Sequence, residues 1–152
     1  MKIYHYTKDF HLEKILKAKF IKVEDAGGMP NAPCFAWFTT EEYVPNTARP
    51  VDLDMYRRPH KYTEGTKFYR FVFDSLNPQF HPWKTYQKQV KGSKYKAILR
   101  RRAKAQKDNI NKWFVSLDPV PIEYMSDGNP YYEEADLLPN APVLLPVGLY
   151  RG

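Results

Sequence analysis

Residues 67–74 read KFYRFVFD, and the alternation in that stretch is the clearest strand signal in the chain. Side chains of an extended strand point to opposite faces with a period of two. Phe68, Arg70, Val72 and Asp74 therefore share one face, and Tyr69, Phe71 and Phe73 the other. Aromatic and β-branched residues fill most of these positions, as a pleated surface favours.

Working back towards the N-terminus, MKIYHYT alternates in the same way and predicts a strand over residues 2–6. Asp9 is placed to cap a helix, in which Leu12, Ile15, Leu16 and Phe20 recur at i, i+3, i+4 and i+8 on one face, with the strand-to-helix turn at TKD. EDAGGMPNAP is turn chemistry. CFAWFTT reads as a second strand, apolar enough to be buried on both faces. From Glu41 to Thr66 the chain is polar, aromatic and interrupted by proline, a long excursion of the kind that serves as a lid.

Working forward, NPQFHP is a turn. Trp83, Tyr86 and Val90 suggest one helix, Gly92 and Ser93 a break, and Tyr95, Ile98, Leu99 and Ala103 a second helix, both showing lysines and arginines to solvent. KWFVSLDPVPIEYMS supplies strands interrupted by Pro119 and Pro121, PVLLPVGLY supplies a last one, and DGNPYYEEADLLPN reads as a loop between them. No internal repeat and no low-complexity tract is present. The order of elements predicts an α+β fold: a small mixed or antiparallel sheet core, a short N-terminal helix and a basic helical segment.

At 152 residues the chain fits one domain, 1–152, and a domain of this size buries roughly 70% of the surface its unfolded chain exposes. Its 43% hydrophobic content is that of a globular protein rather than a disordered one. The single cysteine, Cys34, excludes an intramolecular disulfide and a cysteine-based metal cage. The start MKIYHYTKDF has no apolar signal-peptide core, and no run of about 18 apolar residues exists. The expectation is a cytoplasmic protein with no membrane partner.

The net charge of +7 is unevenly placed. Between Lys84 and Lys112 there are eleven basic residues and one acid, Asp108, so the rest of the chain is mildly acidic. Such asymmetry suggests a polyanionic partner, with Arg100, Arg101, Arg102 and Lys104 as candidate nucleic-acid contacts. A solvated helix face accounts for the same residues.

Among specific chemistries, metal binding lacks a pattern. His5, His11, His60 and His81 form no HxxxH or HxH pair, and no DxD cluster accompanies them. Gly27-Gly28 has neither the spacing nor the Lys-Ser/Thr partner of a phosphate loop. His5-Tyr6-Thr7 matches half of a two-histidine phosphoesterase, which needs a second histidine as acid to the first one's base. No second HxT or HxS is present, and HKYT at 60–63 has the wrong spacing.

Three pieces taken in chain order, YHYT followed by LEKILKAKFI, then AWFTT, then the late acidic stretch YYEEAD, resemble the ADP-ribosyltransferase-like superfamily, in its diphtheria-toxin-like and DNA-modifying toxin-like branches. The start also looks like that of many uncharacterised small bacterial and phage proteins. The resemblance covers the first forty or so residues, and beyond them element order only. It implies NAD as the bound nucleotide, with His5 holding a ribose and Tyr6, Thr7, Trp37, Thr39, Thr40 and Arg70 around the pocket. Arg70 would pair with a pyrophosphate.

Cleaving the nicotinamide glycosidic bond passes through an oxocarbenium-like state, so the site needs a carboxylate beside the ribose. Glu123, Glu133 and Glu134 are the candidates, and Glu134 is preferred. The family's acidic pair, two positions apart, is not cleanly present. The reading is thus an NAD-dependent ADP-ribosyltransferase-like protein acting on a nucleic acid or a host protein. The alternative is a non-enzymatic nucleic-acid or acidic-protein binding module, such as a phage host-interaction or anti-defence factor, with Tyr56, Tyr62 and Trp83 stacking on single strands. Each residue also has a plain reading: a packed strand histidine, a core strand ending in hydroxyls, an acidic surface loop.

Overall fold

The first strand of the chain ends up in the interior of the sheet. In a computed structural model, which describes residues 1–25, 33–46 and 66–138, β1 (Lys2–Lys8) leads directly into α1 (Asp9–Ala18). Then come β2 (Phe20–Ile21), β3 (Glu24–Asp25), β4 (Cys34–Thr39), β5 (Phe68–Asp74) and β6 (His81–Pro82). α2 (Trp83–Tyr86), a 3-10 turn (Gln87–Gln89) and α3 (Ser93–Ala105) follow. A second 3-10 turn (Ile110–Lys112), β7 (Trp113–Ser116), β8 (Val120–Pro121) and β9 (Tyr132–Ala135) complete the described part. The fold is α+β. The main sheet has the order β6-β7-β4-β1-β5-β9, with β3 beside β4 and β2-β8 as a separate pair, and every pairing is antiparallel.

Register confirms the alternation read at residues 68–74, and β1 follows it rung by rung, from Lys2↔Asp74 to Lys8↔Phe68. Ile3, Phe71 and Phe73 join Ala36, Phe38 and Phe80 on one face. Leu12, Ile15 and Leu16 of α1 cover them, together with Ile21, Val120 and Ile122 around the small pair. On the other face Phe35, Trp113 and Val115 meet Trp83, Val90 and the Tyr95, Leu99 and Ala103 stripe of α3. Each fully buried large apolar side chain contributes about 1.5–3 kcal/mol, so two covered faces give the sheet two separate sources of stability.

Several local expectations are corrected. β1 runs through Lys8, and no turn separates it from α1. Asp9 is the first helical residue, not a cap beyond the helix. Its Oδ1 accepts from Phe10 N–H at 2.8 Å, and its backbone N–H donates to Lys67 O at 2.9 Å, tying the helix start to the lead-in of β5. Lys19 turns left-handed at φ 66 and its N–H donates to Ile15 O, a C-cap geometry that ends the helix. Phe20 therefore belongs to β2 and not to the helical face. YYEEAD is no loop: β9 pairs with β5 from Phe71↔Tyr132 to Phe68↔Ala135, and Tyr132 packs against Phe71 with ring centroids 5.4 Å apart.

The expected helix pair is present, the first shorter than expected and finished by the 3-10 turn. Along α3 the buried residues Tyr95, Leu99 and Ala103 leave Lys94, Arg100, Arg101 and Lys104 exposed, whereas Arg102 is half-buried beside the core stripe. Among the described residues no helix is long and apolar enough to cross a membrane. Most of the long polar excursion, the PVLLPVGLY strand and His60 lie outside the described residues.

Candidate functional site

β1 pairs with β5 along its whole length, but it meets β4 at one position, Tyr4↔Thr39. Beyond that rung the two strands part, and β4 takes β3 as a partner instead, at Glu24↔Phe35 and Asp25↔Cys34. A sheet that opens in this way leaves backbone groups without ladder partners, and they must be satisfied some other way. Here a side chain does it. The Nδ1 of His5 lies 2.8 Å from the carbonyl oxygen of Trp37.

That contact fixes the chemistry of the ring. A carbonyl only accepts, so Nδ1 carries the proton and Nε2 is left as an acceptor. Burial pushes the His5 pKa below its ordinary 6.5, against the pull of the Trp37 carbonyl and of Glu24, so the ring is neutral at pH 7. His5 packs on Phe38 at 5.6 Å between centroids. Glu24 also acts electrostatically on Lys8 and His11, whose pKa values burial lowers. By alternation Lys8, two residues beyond Tyr6, and Glu24, opposite Phe35, stand on the other face of the sheet, so Glu24 is felt at His5 as a charge and not as a packed neighbour.

The opposite face of the same split is filled. Tyr6 donates its hydroxyl to Glu41 O, and Arg70 Nη1 reaches Glu42 O at 2.7 Å and Tyr6 Oη at 3.3 Å. The Arg70 guanidinium lies 4.0 Å from the centre of the Tyr4 ring, and its Nε pairs with Glu133 Oε1 at 2.6 Å. Burial raises the Tyr6 pKa to about 12, with Arg70 opposing the rise. Val44 N–H donates to Asp136 O at 3.0 Å and Asn46 N–H to Asp108 Oδ1 at 2.8 Å. Residues 41–46 therefore form a strap from the end of β9 to the end of α3, across the Tyr4 and Tyr6 side.

The sequence-predicted residues are divided between these faces. The rungs Thr7↔Tyr69↔Glu134 and His5↔Phe71↔Tyr132 put Thr7 and Glu134 on the His5 face, with Glu134 exposed and two strands away. The rung Tyr6↔Arg70↔Glu133 puts those three on the strapped face. Trp37 also faces that side. Its ring lies tilted against Trp83 at 5.0 Å and edge-on to Trp113 at 5.4 Å between centroids, so it meets His5 through its carbonyl. Thr39 is buried on the strapped face, with its hydroxyl accepting from Glu41 N–H. Thr40 extends the β4-β7 pairing by donating to Lys112 O.

Arg70 turns its Nε to Glu133 and its Nη1 to Glu42 and Tyr6. Glu133 is engaged by Arg70 in turn. Glu123 is exposed in a hairpin closed by Tyr124↔Pro130, away from the paired strands of the split. Trp83 is buried, so it offers no stacking surface, and Tyr56 and Tyr62 lie outside the described residues. The sequence reading did not single out Lys8 or Glu24, charged residues at the end of β1 and the start of β3 that no motif marks. Among the described residues no group of three or more His, Cys, Asp or Glu side chains is placed to hold a metal ion. Compared with protein-family models, with curated proteins and with solved structures, the chain matches none.

Proposed function

We propose that the split between β1 and β4 is a nucleotide site, that its ligand is NAD, and that the chain is an ADP-ribosyltransferase-like protein. One observation carries this reading: a neutral histidine, held by its Nδ1 on a carbonyl where the sheet opens, with Nε2 left to accept. A ribose hydroxyl is the donor such a nitrogen suits, and a fixed tautomer orients it without further cost.

Bound NAD would supply an activated ribosyl bond. The residues of this chain hold and orient it. His5 accepts from a ribose hydroxyl, and Lys8, half-buried at the end of the same strand, is the cation proposed for the pyrophosphate. Glu134 is the only one of the three candidate glutamates that shares the sheet face of His5, which favours it over Glu133 as the carboxylate that stabilises positive charge on the ribose.

Incubation with NAD labelled on the adenylate half, together with a mixed pool of DNA, RNA and protein, tests the reading. Label should transfer to one class of target, and His5→Ala and Glu134→Gln should each lower transfer at least about a hundredfold, the scale of removing one transition-state contact. Glu133→Gln should leave it within a few-fold. No transfer by the unaltered protein, together with no binding of NAD, would favour the non-enzymatic reading.

A further inference from the structure

Away from the split, on the side of the molecule that α3 covers, the 3-10 turn at Gln87–Gln89 and the first half of α3 enclose an open depression of about 290 Å³ lined by Gln87, Lys88, Lys96 and Arg100. Three of those four side chains are cations contributed by two separate segments. Among the described residues none of them has a carboxylate within ion-pair distance. Like charges brought together with no counter-charge repel, and an anion seated among them relieves that repulsion. Helix stability does not explain the cations either. Lys94 and Lys96 stand in the first turn of α3, where the helix dipole disfavours positive charge, and no acid accompanies them.

We propose that this depression binds the phosphate backbone of a nucleic acid. Lys96 is anchored in place, because its Nζ donates to Gln87 O at 3.2 Å. An ammonium has three donors, so two remain for a phosphate. Arg100 lies one turn further along the same side of the helix and offers a planar fork suited to phosphate oxygens. Lys88 faces them from the turn. From Lys96 through Arg100 to Lys104 a cation recurs every four residues, about 6 Å along the axis. The depression is thus the start of a strip that a continuous polyanion can follow, and Arg102, half-buried on another side, is not part of it.

One feature separates this partner from an acidic protein, and another sets how the nucleic acid is held. Protein partners are held by apolar anchors in desolvated pockets, and none of the four lining residues is apolar. The nearest aromatic, Tyr86, is stacked on His81 at 4.9 Å and meets Phe35 edge-on, so no free ring is offered for base stacking. Binding rests on the backbone alone and is independent of sequence. It does not depend on the nucleotide reading of the split.

The test is fluorescence anisotropy of a labelled single-stranded oligonucleotide of mixed sequence, titrated with the full chain at several salt concentrations. Three phosphate contacts give a slope of about −2 in log K against log salt, so affinity should fall about twentyfold for a fourfold rise in salt. Lys88→Ala/Lys96→Ala/Arg100→Ala should abolish most of that slope and weaken low-salt binding at least tenfold, on the order expected for three lost contacts. Arg100→Ala alone should remove about a third of the slope. Lys14→Ala/Lys17→Ala/Lys22→Ala removes the same charge from exposed positions elsewhere and should change affinity less than about twofold. The proposal is overturned if the unaltered chain shows no salt-dependent binding, if the two triple variants behave alike, or if poly-glutamate competes as well as unlabelled oligonucleotide.

Discussion

β1 has two neighbours in the sheet and meets them differently. With β5 it forms a full ladder, and the rungs at Ile3↔Phe73 and His5↔Phe71 carry it into an apolar layer. With β4 it shares one rung and then parts, and side chains replace the ladder: His5 on the Trp37 carbonyl, Tyr6 on the Glu41 carbonyl. The first side is an ordinary route to stability. On the second, polar side chains do work that backbone elsewhere does. The strap 41–46 covers one face of the opening, and the apolar residues of α1 cover the sheet on the face of His5.

This contrast can be broken or sharpened by substitution. The largest loss should come from the laddered side. Phe71, which has no exposed surface, should cost about 3–5 kcal/mol when changed to alanine, measured by urea denaturation. A loss below about 1 kcal/mol would mean that the apolar layer beside β1 does not hold the sheet together.

At the split the losses should be smaller and pH-dependent. His5→Ala leaves the Trp37 carbonyl without its partner and should cost about 1–3 kcal/mol. His5→Gln, whose amide can still donate, should recover part of it. Because burial lowers the folded pKa of His5 below 6.5, the folded state binds fewer protons than the unfolded state. Stability from the neutral ring is complete above about pH 6.5 and declines as pH falls towards the folded pKa. His11 is shifted the same way. The diagnostic is therefore the difference between unaltered protein and His5→Gln, which should shrink from pH 8 to pH 5 in paired denaturation curves.

Two tyrosines give the smallest effects, with opposite signs. Tyr6→Phe loses the bonds to Glu41 O and Arg70, and should lower stability by about 0.5–1.5 kcal/mol. The hydroxyl of Tyr95 is buried under α3 with no hydrogen-bond partner among the described residues, and burial raises its pKa to about 12. Tyr95→Phe should be neutral or slightly stabilising in a thermal melt, since it removes an unsatisfied polar group. Equal losses at the two positions would show that Tyr6 contributes only ring packing.

The alternating strands KIYHYT and FYRFVFD and the continuous apolar strand CFAWFT were legible because local pattern marks them. The face stripe of α3 was legible for the same reason. β9 was not: Tyr-Glu-Glu-Ala has no period-two contrast, and it is a strand because β5 presents an open edge to it. The candidate site was legible as a histidine worth attention and not as an arrangement. Whether Arg70 meets a pyrophosphate or Glu133, and whether Trp37 offers its ring or its carbonyl, depends on register between strands distant in sequence.

The central claim concerns the state of one imidazole, and long-range proton–nitrogen correlation NMR of the His5 ring reads it directly. At pH 7 the account predicts a neutral ring protonated on Nδ1, with an Nε2 resonance that moves when NAD is added and a spectrum that loses these signals in His5→Ala. A charged ring, the opposite tautomer, or an Nε2 resonance indifferent to NAD would contradict it.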